Sequence, residues 1–304
     1  MSGLLVSLQD AVVQGVLWGI MVLGVYITYK LLDIADLTVD GSFAMGGCVC
    51  AVMVLVFNLD PWVALIVAGI AGMAAGAVTG LLHTIFDIPA ILAGILTQIG
   101  LWSINLRIMS GKSNVPLLKA DTVVSKFIDM TGLGKQAAAL VIGVGMAIIM
   151  IVLLYWFFGT EIGSAMRATG NNEAMIRAQG VNTNWTKLLA LTISNGLVGI
   201  SGGLVSQSQK YADIGMGTGA IVIGLAAIVI GEVLMGKLRS FGSKLASAVV
   251  GSVIYFVIRA VVLRMGMNAN DMKLLSAVIV AVALCVPVVI RKWRLKASYT
   301  EGGE

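Results

Sequence analysis

Apolar runs broken by short polar stretches account for most of this chain. A membrane-spanning helix needs roughly 20 apolar residues. Runs of about that character predict nine spans, at 11–29, 41–57, 62–82, 90–106, 137–158, 186–206, 219–235, 245–263 and 274–290. The third contains Gly72, Gly76 and Gly80, a small-xxx-small ridge of the kind that lets membrane helices pack closely. Two interruptions are longer than a turn. In 107–136, Val123, Val124, Phe127 and Ile128 recur at helical spacing and predict a short amphipathic helix on the membrane surface. The second, 159–185, is too polar to cross a bilayer. The fold class expected is all-α: one polytopic transmembrane domain over 1–304.

The pattern also echoes itself. Ala35-Asp36-Leu37 precedes the second span and Ala212-Asp213-Ile214 precedes the seventh. At the same offset of 177, Gly19 falls on Gly196 and Gly47 on Gly224. The spans 41–57 and 219–235 each cover only about 26 Å, against a hydrocarbon core of roughly 30 Å. Five spans separate the copies, so they run in opposite directions. Short, interrupted segments at matching places in two inverted halves point to a substrate path. The expected organisation is repeat 1 over about 11–107, an external segment at 107–136, a central helix at 137–158, a cytoplasmic segment at 159–185, repeat 2 over about 186–290, and a basic tail at 291–304.

Composition agrees. Of 304 residues, 59% are hydrophobic and 12% charged, and the mean hydropathy is +0.99. Soluble domains carry roughly 25% charged residues. The net charge of +5 reads as loop Lys and Arg that orient the chain and meet lipid headgroups, with no nucleic-acid partner implied. The basic run Arg291-Lys292-Trp293-Arg294-Leu295-Lys296 and the turn Gly236-Lys237-Leu238-Arg239 are expected in the cytoplasm, and the N-terminus outside. No basic region precedes the first apolar run, so that run is expected to be retained as a span.

Little in the chain suggests catalysis, a metal or a cofactor. Cys48, Cys50 and Cys285 lie in apolar runs and read as small buried residues. His83 stands at a span end with no His or Cys nearby. Ser110-Gly111-Lys112-Ser113 resembles the end of a phosphate-binding loop, but position 106 is Leu where that motif requires Gly. An intramembrane aspartyl protease needs paired carboxylates on separate helices, and Glu232 is the only other acid well inside an apolar run.

The polar knot at 33–47 fits three readings. Asp33, Asp36 and Asp40 share one face if the helix is continuous, as a cation site requires. Alternatively, Asp40 or Thr38 caps the second span while Asp33 and Asp36 face cytoplasmic water. In the third reading the knot lines a transport path. Polar or glycine residues within apolar surroundings give the path candidates: Thr38, Asp40, Ser42, Thr97, Gln98, Asn195, Gly215, Gly217 and Gly219. The same residue types also join helices by hydrogen bonds. The mix suits a small net-neutral or zwitterionic solute.

The segment 159–185 reads as two short helices. One covers 162–169 and ends at Gly170. The other is capped by Asn171 or Asn172, runs from Glu173 to Gln179 and stops at Gly180, a residue suited to a left-handed C-cap. Glu173 and Arg177 are spaced to pair one turn apart. Crisp caps at both ends describe a docking knob better than an ordinary loop.

Met166-Arg167-Ala168, Ala174, Ala178 and Gly180-Val181-Asn182 resemble the coupling segment of ABC importer permeases of the branched-chain amino acid and ribose type. Asp213 through Glu232, with its G-L-A-A-I-V-I-G-E run, looks like that family's seventh span. L-D-I-A-D-L-T-V-D-G-S-F resembles the branch that works beside lipoprotein binding proteins for aromatic amino acids and related solutes. The resemblance implies a non-enzymatic permease subunit in the bacterial inner membrane, with an inverted-repeat core of the vitamin B12-importer type. It implies a second permease copy as a homodimer, separate cytoplasmic ATPase subunits and an external or periplasmic solute-binding protein. It places Arg167, Glu173, Arg177, Gly180 and Asn182 on the surface that enters a groove of the ATPase. The competing expectation is an ion-coupled secondary transporter using Asp36 or Asp40.

Overall fold

The computed structural model describes residues 2–118, 120–236, 240–265, 271, 274, 276–282 and 285. In chain order the helices are α1 (Ser2–Tyr26), α2 (Thr38–Leu55), α3 (Pro61–Thr84), α4 (Ala90–Ile108), α5 (Val123–Thr131), α6 (Lys135–Gly159), α7 (Glu161–Asn171), α8 (Glu173–Ala178), α9 (Thr183–Gln209), α10 (Ala220–Met235) and α11 (Phe241–Arg264). A π-helical turn, Ile27–Leu31, continues α1. Two three-residue strands, β1 (Asn114–Pro116) and β2 (Tyr211–Asp213), pair antiparallel with Val115 opposite Ala212. Seven of the described helices are long and apolar enough to cross a membrane, and α10 is a shorter apolar helix. Of the ninth expected span, 274–290, residues 274, 276–282 and 285 are described and are helical, and the others lie outside the described residues. The basic tail and most of the turn at 236–239 also lie outside the described residues.

Several predicted boundaries move. The surface helix expected near Val123 is α5, closed by a Thr122–Ser125 capping box and by Gly132. Asp60 caps α3 at the Trp62 N–H, 2.9 Å away, and pairs with Lys126 of α5. That Lys126 contact holds the Asp60 carboxyl below its usual range. The second span begins at Thr38, not Gly41. Gly41 is an interior position where α2 meets Gln98 and Leu101 of α4.

The centre of the bundle is α9, which packs against α1, α2 and α3. Glycines make this possible. A Cβ at Gly72 or Gly76 of α3 would overlap carbonyls of α9, and one at Gly202 of α9 would overlap the Phe43 carbonyl of α2. Close backbones of this kind replace the hydrophobic driving force that lipid does not supply. The α1–α9 contact carries two hydrogen bonds at positions exchanged by the 177-residue offset, both donated by α9. Ser194 Oγ donates to the Gly24 carbonyl at 2.7 Å, and Ser201 Oγ to the Leu17 carbonyl at 2.8 Å. Leu17 and Ser194 are 177 residues apart, as are Gly24 and Ser201.

Candidate coupling surface and translocation path

Between Leu31 and Thr38 the chain leaves helical geometry. The turn is fixed by Asp36, whose Oδ1 accepts the Thr38 N–H at 2.9 Å. Its other oxygen accepts from Asn195 Nδ2 at 2.7 Å. Asn195 sits near the middle of the 27-residue α9, so the segment before α2 reaches the middle of the bundle. Asp36 is 2% exposed and does not face water. A hydroxyl chain extends from it: Thr38 Oγ1 to Thr79 Oγ1 at 2.7 Å, and Thr79 Oγ1 to Thr97 Oγ1 at 2.9 Å. The network joins α2, α3, α4 and α9. Asn195 Oδ1 and Ser42 Oγ are buried without a partner among the described residues.

Asp36 and Asp213 use the same local device. Asp213 Oδ1 accepts the Gly215 N–H at 2.7 Å, and its Oδ2 takes Asn114 Nδ2 at 3.2 Å. Each carboxylate therefore fixes a turn two residues on and receives one Asn side chain.

Asp40 does not cap its own helix, one of the alternatives the sequence leaves open. Its oxygens accept from the Gly219 N–H at 2.8 Å and the Ile221 N–H at 3.0 Å. The carboxylate thus caps α10, where the unpaired N–H groups and the dipole favour a negative charge. Gly219 is left-handed (φ +82°) and forms the break before α10. Gly217 lies where a Cβ would overlap the Asp40 carbonyl. The path candidates therefore fall into two clusters. Thr38, Thr97 and Asn195 join Asp36, while Asp40 joins Gly217 and Gly219. Gln98 is half-buried on α4, and Gly215 is held by the Asp213 turn.

The polar segment between α6 and α9 forms two helices, as expected, with altered limits. Thr160 caps α7 and Asn172 caps α8, each accepting the backbone N–H of the third residue of its helix, Gly163 and Met175. Gly170 does not end α7. It lies within the last turn, where a Cβ would overlap the Leu31 carbonyl at the end of the first span. Met166 and Ile176 are buried, Arg167 lies 5.4 Å from the Phe241 ring, and Met175, Ala178 and Gly180 are exposed.

Glu173 is the hub. Its Oε1 accepts from Arg177 Nη2 at 2.7 Å and Thr183 Oγ1 at 3.0 Å, and its Oε2 from Lys187 Nζ at 2.7 Å. The Lys187 bond is the main reason its carboxyl titrates below the usual value. Arg177 also reaches Thr183 at 2.6 Å and Asn184 at 3.2 Å. The Glu173–Arg177 pair follows from helical spacing; Lys187 and Thr183 lie on the next helix, where no local pattern signals them. Asn182 is the N-cap of α9, accepting from Asn184 and Trp185. Thr169 bonds Thr186 at 3.1 Å, fastening α7 to α9 as well. Gly180, at φ +85°, makes the reversal between α8 and α9.

The family model described as "Branched-chain amino acid transport system / permease component" matches residues 7–285. A tyrosine transport system permease protein of Clostridioides difficile is 38% identical, covering 92% of this chain and 90% of its own. A ribose import permease protein of Escherichia coli K12 is 26% identical over 71% of this chain and 67% of its own. A probable branched-chain amino acid transport permease protein of Methanocaldococcus jannaschii is 22% identical over 80% of this chain and 78% of its own.

Proposed function

The chain belongs to the family of branched-chain amino acid transport system permease components and is a permease component of an ABC-type importer, and from that premise we propose how its parts divide the work. A cytoplasmic ATPase docks on α7 and α8, with Arg167, Glu173, Arg177 and Gly180 at or beside the contact. A solute-binding protein delivers an amino acid to the opposite face, where the N-terminus lies. The named transport of tyrosine by the Clostridioides difficile relative favours an aromatic one. Two copies form the transporter in the bacterial plasma membrane, and the path runs beside the α2 and α10 breaks. Those breaks belong to two inverted halves. The support is the Ser194–Gly24 and Ser201–Leu17 bonds at one offset, and the shared Asp36 and Asp213 turns.

The observation that carries the coupling role is an unbroken chain of bonds. Glu173 and Thr169 fasten the α7–α8 knob to the start of α9, and Asn195 fastens the middle of α9 to Asp36. Movement of the knob is thereby delivered to the break before α2. A ligand or partner shifts such an equilibrium only through contacts that differ between its states, and ATP-driven closure of the ATPase supplies them at the knob. The ion-coupled alternative requires an exchangeable carboxylate. Here both oxygens of Asp36 and of Asp40 are engaged by protein donors.

The test is co-purification with the ATPase. Glu173→Lys and Gly180→Pro are expected to lose ATPase binding while remaining monodisperse in detergent. Full binding by both variants, or solute uptake by the permease alone down an ion gradient, would overturn the reading.

A further inference from the structure

At the end of the bundle opposite α7 and α8, a cavity of about 620 Å³ opens between the start of α1, the end of α9, the 211–218 turn and the end of α11. Pockets for small molecules span roughly 300–1,000 Å³. Three chemistries meet in its wall. Arg259 stands within the apolar α11, its guanidinium 5.7 Å from the Phe256 ring centroid and without a carboxylate partner among the described residues. Ionisable side chains in spanning helices face the bundle interior or a water-filled cavity and mark ligand or ion pathways. Asp10 faces the same cavity, and Gln136 donates to it at 3.1 Å. Trp18 and Phe256 border the cavity with the small part of each ring left uncovered, their centroids 5.5 Å apart. The Trp18 Nε1–H is buried with no partner among the described residues.

Two arginines and one carboxylate line the cavity. Arg264 is engaged, donating to Ser7 Oγ at 2.7 Å, and Arg259 and Asp10, which do not pair with each other, suit a ligand that carries both charges. The Arg259 guanidinium lies near an aromatic ring, and its planar fork can bind a carboxylate through two donors. We propose that this cavity is a receiving site within the permease for an α-amino acid with a flat aromatic side chain. Arg259 takes the carboxylate, Asp10 takes the ammonium group, and the side-chain ring lies against Trp18 and Phe256. This rests on the importer reading and adds that the permease itself selects the solute.

The experiment uses the full-length permease in phosphatidylcholine nanodiscs, with and without its ATPase and without a solute-binding protein. The probes are L-phenylalanine, phenethylamine, 3-phenylpropionate and L-alanine. Saturable binding of L-phenylalanine is expected, at least tenfold tighter than that of each other probe. Arg259→Gln should abolish the preference over phenethylamine, and Asp10→Asn the preference over 3-phenylpropionate. Thermal melting checks that each variant is folded, and Arg259→Lys should retain part of the preference for a carboxylate. Equal binding of all four probes, unchanged preferences in the variants, or loss of binding only when phosphatidylethanolamine is added would each overturn the site. The last result would assign the cavity to a lipid headgroup. Failure of the wild-type permease to assemble with the ATPase, with probe selectivity intact, would instead count against the coupling reading alone.

Discussion

Two carboxylate networks in this molecule use nearly the same parts and do different work. Asp36 gathers a backbone N–H, an Asn amide and, through Thr38, a run of Thr hydroxyls. Glu173 gathers a Thr hydroxyl, an Arg and a Lys. The first is 2% exposed; the second keeps 35% of its side chain in solvent. Water is an alternative partner for Glu173 and Arg177, though not for the buried Thr183, and for no group around Asp36. The buried set therefore fixes one arrangement of four helices, whereas the exposed set can exchange partners at modest cost. That is what a docking surface needs and a helix junction does not.

The sharpest way to break this comparison is Asp36→Ala. It strands the Thr38 N–H and takes from the Asn195 amide one of its two acceptors, the Leu191 carbonyl being the other, and a loss of about 3 kcal/mol or more is expected. Detergent-solubilised thermal or denaturant unfolding measures it, and a loss below about 1 kcal/mol would put the two networks in one class. Next is Gly217→Ala, whose Cβ meets the Asp40 carbonyl. Overpacking there should cost about 1–3 kcal/mol in the same assay. Gly180→Ala tests the knob without touching its ion pairs. Holding alanine at φ +85° should cost about 1–2 kcal/mol and weaken ATPase binding in a pull-down titration.

The smallest effect is expected from Glu173→Gln, under about 1 kcal/mol at neutral pH because the pair is partly exposed. Its pH dependence has a definite sign. The native carboxyl titrates below its usual value of 4.5, so its contribution is present above that value and lost as pH falls through the depressed native one. Unfolding of wild type and variant measured from pH 7 down to pH 3 should therefore converge at the acid end. A gap that widened on acidification would contradict the clamp.

The sequence pattern located what is local. Each of the seven long apolar helices corresponds to a predicted span, and the start of α10 agrees to within one residue because Gly219 marks the break. The expected second span starts at Gly41, three residues after α2 begins, and Gly41 is a contact point inside the helix. Gly170, expected to end the first short helix, is likewise a contact point inside α7. Both glycines serve a neighbouring backbone, and a glycine's letter does not distinguish close approach from a turn. Asp40 shows the other limit. Its partners are 179 and 181 residues away, so no spacing rule reveals it as the cap of a distant helix. The hubs at Asp36 and Glu173 were visible as polar residues, but Asn195, Thr79, Lys187 and Thr183 become partners only once the helices are packed.

The seam between α3 and α9 has a mechanical consequence. Backbones that touch through Gly72 and Gly76 leave no compliant layer of side chains between them. Such helices behave like meshed teeth with little play. Rolling one against the other drives a Cα into a carbonyl, so a tilt imposed on α9 carries α3 with it. The working stroke is then a displacement of a rigid plate, and its slack must be taken up at the plate's margins.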